Sequence, residues 1–304
     1  GLATWEGLAE IAKTYYEWTD GLTPDVPNDG KAFFGRDAFA NYMIIGAKQL
    51  GAEIFVTENG KMTPQVDKQV MRRLWDNFYV PYISGYYAAY GKFRSDDLRT
   101  GDIAAFVGST SGATYFPAEV TRADGSTYPI EGKVYALPNF ADTAPMGVQQ
   151  GAGMVVTKSV PEREKAAVEF LKWFTAPEQN IRFCGASGYL PVTAAANSQK
   201  AIAEGIAALP GGATSVLRES LEKGVAITGS YELYTSAPFA HGSEARKVTE
   251  NSMQDWAKQD RKTVEEQLAG GTSLADAVAA LNTEANFEGW LNSFRNALTA
   301  AVAD

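Results

Sequence analysis

A short run of hydroxyl side chains carries the clearest binding chemistry in the sequence. Ser109, Thr110 and Ser111 precede Gly112 and follow residues 101–108, an apolar stretch that predicts a buried strand. Open α/β sheets bind ligands at the carboxyl ends of strands, and hydroxyls with free backbone N–H groups suit polyol or phosphate oxygens. The alternative is a capped turn without a ligand. The run is neither a nucleophile elbow, because its middle residue is Thr110, nor a P-loop, because it lacks the lysine.

A guanidinium offers a second kind of polar recognition. Arg246 stands in the first turns of a helix that Ser243 is expected to cap. An arginine there can grip a phosphate or paired hydroxyls with two parallel hydrogen bonds. The alternative is a surface ion pair with Glu250, four residues further on.

Catalytic and metal-binding groups are scarce. The 304 residues include one cysteine, Cys184, and one histidine, His241. This excludes an internal disulfide and leaves little room for a zinc centre or a histidine-based triad. Adjacent carboxylates such as Asp96 and Asp97 are typical of a solvated face. The sequence therefore predicts no metal, no cofactor and no enzyme, with a carbohydrate-active hydrolase on an α/β scaffold as the alternative.

Charge and composition narrow the range of partners. The net charge of −9 argues against nucleic acid or an anionic membrane as the main partner. Hydrophobic residues make up 45% of the chain, an ordinary globular proportion, and no apolar run reaches the ~18 residues of a membrane span. The first residues show neither the basic start nor the apolar core of a signal peptide.

The elements that must position these residues alternate between strands and helices, which predicts an α/β fold. Thr4 is expected to cap the first helix, and residues 31–51 show helical spacing. Asn59 and Gly60 predict a tight hairpin turn. A helix is expected over residues 63–81, and a small hairpin over residues 118–133.

Residues 133–191 give the most detailed pattern. Residues 134–138 predict a short strand, and residues 151–156 a strand buried on both faces. Ser159 and Glu162 have capping-box spacing and are expected to open a helix. Apolar residues at helical spacing predict its buried face: Ala167, Phe170, Leu171 and Phe174. A proline-led second helix and the turn G-Y-L-P complete the segment.

Other aromatic residues at helical spacing predict core positions. The last helix is expected to bury one face, made of Phe287, Trp290, Leu291, Phe294 and Leu298. Trp75 is assigned to the core for the same reason.

The order of these motifs resembles the extracellular solute-binding proteins of ABC importers, of the maltodextrin and glycerol-phosphate type. The resemblance rests on the small-residue strand, the helix A-x-x-F-L-x-x-F, the proline-led helix and G-Y-L-P-V. The resemblance implies a type II periplasmic-binding-protein-like fold. Residues 1–137 and 188–304 would form the second lobe, and residues 138–187 a remnant of the first. The start T-W-E-x-L lies mid-chain in that family, which implies a fragment that lacks most of its first lobe.

The resemblance also implies ligand contacts. The serine-rich turn touches ligand in the glycerol-phosphate binders. Gly151 and Gly153 would face the cleft between the lobes, and Tyr189 would lie at its edge, where its ring can stack on a sugar. The alternatives are tight strand packing for the glycines and hinge packing for Tyr189.

Three further positions follow from the resemblance. Arg246 matches an arginine of both family types. His241 stands near the place where the maltodextrin type has a stacking aromatic, so a stacked oligosaccharide is in doubt there. Asn41 and Tyr42 lie on a helix whose counterpart borders the cleft.

The function that the resemblance implies is capture of a small solute for import. The ligand would be a sugar, a polyol or a glycerol phosphate, the partners would be ABC permease subunits, and the place would be extracytoplasmic, either periplasmic or lipid-anchored. A third reading is a regulatory sensor that binds a protein partner. Without its sheet neighbours, the apolar face of residues 138–187 is expected to self-associate.

Overall fold

The computed structural model describes residues 1–59, 61–209 and 211–303. Its helices are α1 (Trp5–Asp20), α2 (Phe39–Gln49), α3 (Lys68–Ile83), α4 (Arg94–Thr100), α5 (Pro161–Thr175), α6 (Pro177–Ser187), α7 (Gln199–Ala207), α8 (Ser215–Ser230), α9 (Gly242–Ala269), α10 (Leu274–Leu281) and α11 (Glu284–Ala301). Its strands are β1 (Phe34–Arg36), β2 (Phe55–Glu58), β3 (Lys61–Pro64), β4 (Ala105–Val107), β5 (Glu119–Thr121), β6 (Thr127–Pro129), β7 (Met146–Val148) and β8 (Glu232–Tyr234). A 3₁₀ helix spans Thr110–Tyr115.

The strands pair two by two and the fold is mixed α/β, as the sequence predicted. Strands β1 and β4 run parallel, and so do β7 and β8. The pairs β2–β3 and β5–β6 are antiparallel hairpins. The second hairpin confirms the prediction for residues 118–133. None of the helices in the described ranges is both long and apolar enough to cross a membrane.

The main core is helical and rich in aromatic rings. Helix α9 packs against α2, α3 and α11, so one long helix contacts most of the core. The face predicted for α11 is confirmed, because its five residues are all buried. Trp75 stacks on Tyr79 with a centroid separation of 3.5 Å. The hydroxyl of Tyr79 donates to Asp260, and Asn286 donates to the same carboxylate at 2.7 Å. This network ties α3, α9 and α11 together.

Several local predictions are confirmed in the first half of the chain. The side chain of Thr4 accepts a hydrogen bond from the N–H of Gly7 and caps α1. Residues 31–51 are helical only in their second half, because β1 comes first. The hairpin turn expected at Asn59 and Gly60 includes Gly60, which lies outside the described residues, while its flanking strands do pair.

Two predictions in that half are wrong. The helix expected from residue 63 begins at Lys68, because residues 61–64 pair with β2 and Asp67 provides the cap. The helix also does not end at Pro81, as expected, but continues to Ile83. Asp97 does not lie on a solvated face: it is buried and accepts a hydrogen bond from the buried guanidinium of Arg94.

The segment around residues 133–191 departs most from expectation. Residues 134–138 form no strand, and residues 151–156 form a mostly exposed loop instead of a buried strand. Val160, not Ser159, occupies the N-cap position of α5. No residue of α5 is buried, so its predicted core face is wrong. The helical spacing was read correctly, but within the described chain the main neighbour of α5 is the short helix α6.

Candidate functional site

The parallel pair β1–β4 brings two chain ends to one edge. The N–H of Asp37, just after β1, donates to the carbonyl of Val107 at the end of β4, at 2.9 Å. Gly108 follows, and a Cβ on it would lie 3.8 Å from the Asp37 carboxylate. Burial raises the pKa of Asp37, and the nearby Arg94 opposes the shift. Carboxyl ends of parallel strands are where α/β proteins bind ligands.

Two residues that the sequence singled out meet at this edge. Helix α2 begins just past β1, and its Asn41 is buried. The guanidinium of Arg246 on α9 donates to Asn41 Oδ1 at 2.7 Å. The amide nitrogen of Asn41 donates to Gln150 Oε1 at 2.9 Å. The arrangement presents a positioned guanidinium and two amides, which suit hydroxyl or phosphate oxygens.

Glu250 does not form the ion pair expected as the alternative for Arg246. Its two oxygens accept the backbone N–H groups of Phe39 at 2.8 Å and Ala40 at 2.6 Å. These are orphan donors at the start of α2. Arg246 therefore pairs with Asn41.

Arg36 is a buried cation at the end of β1. It is 8% exposed, and its guanidinium lies 5.0 Å from the centre of the Trp5 ring. Within the described ranges, its Nε and Nη1 have no hydrogen-bond partner. Burial lowers the pKa of Arg36 to about 10, and Glu250 and Asp37 act in the opposite direction. Two buried guanidinium nitrogens without a protein partner in the described chain are costly, which makes Arg36 a candidate ligand contact at this edge.

The serine-rich turn is a capped 3₁₀ helix. Ser109 Oγ accepts the N–H of Gly112 at 3.2 Å and lies 2.9 Å from Ser111 Oγ. This is the geometry of the capped-turn alternative, and it leaves ligand contact at Ser109, Thr110 and Ser111 a prediction. Ser109 is exposed.

The turn around Tyr189 packs directly on this 3₁₀ helix. Gly188 has φ +77°, and a Cβ on it would lie 2.6 Å from the carbonyl oxygen of Thr110. Only glycine fits there, for both reasons. The Tyr189 ring is partly exposed and lies 6.1 Å from the ring of Phe183. The structure therefore brings two predicted site segments together.

Gly151 and Gly153 lie in the exposed loop after Gln150. A Cβ at either glycine would meet no atom within 4 Å. The tight strand packing offered as their alternative is therefore wrong, and their ligand contact stays a prediction.

His241 and Arg246 line one open cavity of about 420 Å³, together with Phe55 and Phe239. His241 is exposed with φ +58° and sits at the N-cap position of α9. The cap expected from Ser243 is wrong, because the helix begins at Gly242. A larger depression of about 750 Å³, beside Lys48 and Glu53, contains none of the predicted site residues.

The ligand contact expected of Tyr42 does not fit the structure. Its side chain is 2% exposed in the main core, and its hydroxyl donates to the carbonyl of Leu74 at 2.8 Å. Burial raises its pKa well above the ordinary value. Asn41, one residue earlier, has the side chain that contacts Arg246 and Gln150.

Sequence reasoning missed Arg36 and Gln150, and it saw Glu250 only as a partner of Arg246. Arg36 ends a three-residue strand inside a stretch of helical spacing, so its strand-end position had no visible signal. Gln150 lies in a loop and is placed by the neighbouring strand β7. Contacts between residues more than 100 positions apart carry no local pattern.

The described residues do not assemble a metal site or a reactive thiol at this edge. In the described part of the chain, no group of three or more histidine, cysteine, aspartate or glutamate side chains could hold a metal ion. The one cysteine, Cys184, is buried, and burial raises its pKa to about 11, as for a structural thiol.

Comparison with known proteins gives the same fold. A solved binding protein for cyclic α-maltosyl-1,6-maltose from Arthrobacter globiformis has a TM-score of 0.53 at 17% identity, covering 99% of this chain and 65% of its own. UgpB from Mycobacterium tuberculosis, in complex with glycerophosphocholine, has a TM-score of 0.53 at 15% identity, covering 97% and 64%. The chain thus spans about 65% of the length of these proteins.

Sequence comparison gives the family. No curated protein matches the chain. A family model described as bacterial extracellular solute-binding protein matches residues 1–210, which is more than half of the chain. The chain therefore belongs to the bacterial extracellular solute-binding proteins.

Proposed function

We propose that the protein is the substrate-binding component of an ABC importer and that it captures a carbohydrate or a glycerol-phosphate-like solute. The observation that carries the proposal is the hydrogen-bonded pair of Arg246 and Asn41 beside the carboxyl ends of β1 and β4. A guanidinium and an amide suit both the paired hydroxyls of a sugar and the oxygens of a phosphodiester. The ligands in the descriptions of the two similar structures belong to these classes.

Further ligand contacts are proposed around this pair. Arg246 and His241 line the same cavity. Gly151 and Gly153 follow Gln150, which bonds to Asn41. The adjoining surface of Ser109, Thr110, Ser111 and Tyr189 would supply hydroxyls and a stacking ring.

The proposed lobes are residues 1–137 with 188–304, and residues 138–187. The exposed aromatic face of α5 supports a separate segment around this helix, because a helix with no buried residue is unusual within one packed lobe, whereas Phe140 at the start of the range is buried in the main core. That face would pack on further chain of the first lobe or, in this chain, on a second copy. Sedimentation velocity checks the second outcome: Phe170→Gln with Trp173→Gln should weaken concentration-dependent self-association.

The proposed mechanism is closure of a cleft between the lobes. A ligand that contacts both lobes favours the closed form by its differential affinity, and the closed form docks on permease subunits. The proposed location is extracytoplasmic, at the cell surface or in a periplasm. A lipid anchor remains part of this proposal.

Thermal-shift titration and calorimetry test the proposal directly. The probes are maltose, a maltodextrin, glycerol 3-phosphate and glycerophosphocholine. A ligand at 100 times its Kd should stabilise the protein by about 2.7 kcal/mol. Arg246→Ala should strongly reduce the shift, and Arg218→Ala, which replaces an exposed arginine on α8, should retain it.

Two results would contradict the proposal. One is no binding of any probe, and the other is binding that survives Arg246→Ala unchanged. Turnover of a probe would instead favour the hydrolase. Asp37 and Glu250, the carboxylates at this edge, both accept backbone N–H groups, which fits structural roles.

A further inference from the structure

We infer that Glu250 is a positioning residue for the Asn41–Arg246 pair. It caps helix α2 from a distant helix and, by doing so, holds Asn41 within reach of Arg246. The effect on ligand affinity rests on the proposed function, whereas the effect on α2 does not.

Helix α2 has no local cap. The residue before it, Ala38, has no side-chain acceptor and sits at φ +50°, a left-handed conformation that is strained for alanine. Such a conformation persists only where surrounding contacts enforce it. Two hydrogen bonds, from the N–H groups of Phe39 and Ala40 to Glu250, hold the residues that follow Ala38.

The carboxylate matches this place electrostatically as well as geometrically. The N-terminus of a helix carries a partial positive charge and exposes backbone N–H groups. Both oxygens of Glu250 are used, one for each N–H group. Charge-assisted bonds of this kind are stronger than those of a neutral cap.

The same turn of α9 presents both partners of α2. Arg246 and Glu250 are four residues apart and therefore share a helix face. Glu250 fixes the backbone at Phe39 and Ala40, and Arg246 binds the side chain of the next residue, Asn41. Movement of the first turn of α2 would shift Asn41 away from Arg246.

Glu250 also determines the partner of Arg246. An arginine and a glutamate four residues apart on a helix ordinarily pair. Because α2 occupies the carboxylate, the guanidinium turns to a neutral amide. Arg246 is thus not held in an ion pair with Glu250, and its guanidinium remains available to a ligand oxygen.

The first test needs no ligand. Amide hydrogen exchange, followed by NMR, should be about tenfold faster at Phe39 and Ala40 in Glu250→Gln than in the parent protein. Glu266→Gln is the matched control, since it removes the same charge from an exposed position of the same helix. Unchanged protection at both amides in Glu250→Gln would overturn the inference.

The second test separates positioning from a general loss of stability. If Glu250 holds the pair together, the loss of stability caused by Arg246→Ala should be smaller in a Glu250→Gln background than in the parent. Strict additivity would reduce Glu250 to a helix cap and overturn the positioning role.

The third test uses maltose and glycerophosphocholine as probes at a temperature where all variants are folded. Glu250→Gln should weaken binding about tenfold, and it should add nothing to Arg246→Ala. Unchanged affinity in Glu250→Gln would also overturn the inference. If no variant binds either probe, the proposed function fails. The amide hydrogen exchange and the double-mutant comparison of stability still decide the role of Glu250.

Discussion

Two groups of aromatic residues at the same helical spacing have opposite environments. In the core formed by α3, α9 and α11, the rings of Trp75, Phe287 and Trp290 are fully buried. On α5, Phe170 is 52% and Trp173 54% exposed. Both groups contain close ring pairs, so ring contact alone does not distinguish them. Spacing determines which residues share a face, and a neighbouring element determines whether the face is buried.

The neighbouring element in the first group is a helix distant in sequence. Helix α9 is 28 residues long and contacts α2, α3, α10 and α11. Helix α5 has a comparable partner only in α6. The two regions therefore differ in tertiary packing, while their local sequence signals are alike.

The largest expected contrast is between two tryptophan substitutions. Trp290→Ala should lower the free energy of unfolding by about 3–5 kcal/mol, because it leaves a large cavity in the core and removes the bond to Ser252. Trp173→Ala should change it by no more than about 0.5 kcal/mol, since half of that ring is already in water. Urea denaturation of both variants measures the difference. Equal losses would mean that α5 is covered in solution.

Two ion pairs of the same spacing give the next contrast. The guanidinium of Arg94 pairs with Asp97, and both side chains are buried. Lys172 pairs with Glu169 on α5, and both are exposed. Arg94→Ala should cost about 3–5 kcal/mol, because Asp97 is left buried without its counter-charge.

The control, Lys172→Ala, should change the free energy of unfolding by no more than about 0.5 kcal/mol. The same urea titration measures both variants. Raised salt should weaken only the exposed pair. A loss for Arg94→Ala as small as that of the control would show that water reaches Asp97.

Gly188→Ala tests how α6 is attached to the 3₁₀ helix. The left-handed φ alone costs alanine about 1–2 kcal/mol, and the contact with Thr110 adds to it. Gly271→Ala, at φ +89° with nothing within 4 Å of its Cβ, provides the cost of φ alone. The excess of the first loss over the second, measured by thermal unfolding, reports the crowding. Equal losses would mean that the turn moves aside.

The sequence predicts elements better than contacts. The cap at Thr4, the hairpin of β5 and β6 and the buried face of α11 each depend on residues close in sequence, and each is confirmed. The strand expected at residues 151–156 is wrong because a strand needs a partner, and the pattern does not contain one.

The candidate site divides in the same way. Arg246 could be singled out because a guanidinium near a helix start has a recognisable chemistry, and the structure places it against the side chain of Asn41. Asn41 and Tyr42 were singled out together, but only the side chain of Asn41 reaches Arg246, because one residue on a helix rotates a side chain by about 100°. Arg36 and Gln150 carried no local signal, because strand pairing and loop path bring them to the site.

The smallest expected effect concerns the hydrogen bond that attaches β8, and through it β7, to the main core. The exposed loop of residues 151–156 follows β7. Tyr234, on β8, donates to Glu53 Oε1 at 2.6 Å, and β8 pairs with β7. The hydrogen bond from Tyr234 and, after it, Lys48 lower the pKa of Glu53. A lowered carboxylate pKa adds stability above the pKa of the unfolded chain, and that stability is lost as pH falls through the folded pKa.

Glu53→Gln should therefore flatten the loss of stability below about pH 4.5 and leave the Tm lower at pH 7. Because Glu53 is more than one third exposed, the change in free energy should be less than about 1 kcal/mol. Thermal unfolding between pH 3 and 7 measures it, with Glu266→Gln as the exposed control. A pH profile identical to that of the parent would mean that solvent screens the Tyr234–Glu53 bond. The backbone pairing of β7 with β8 would then hold these strands in place without it.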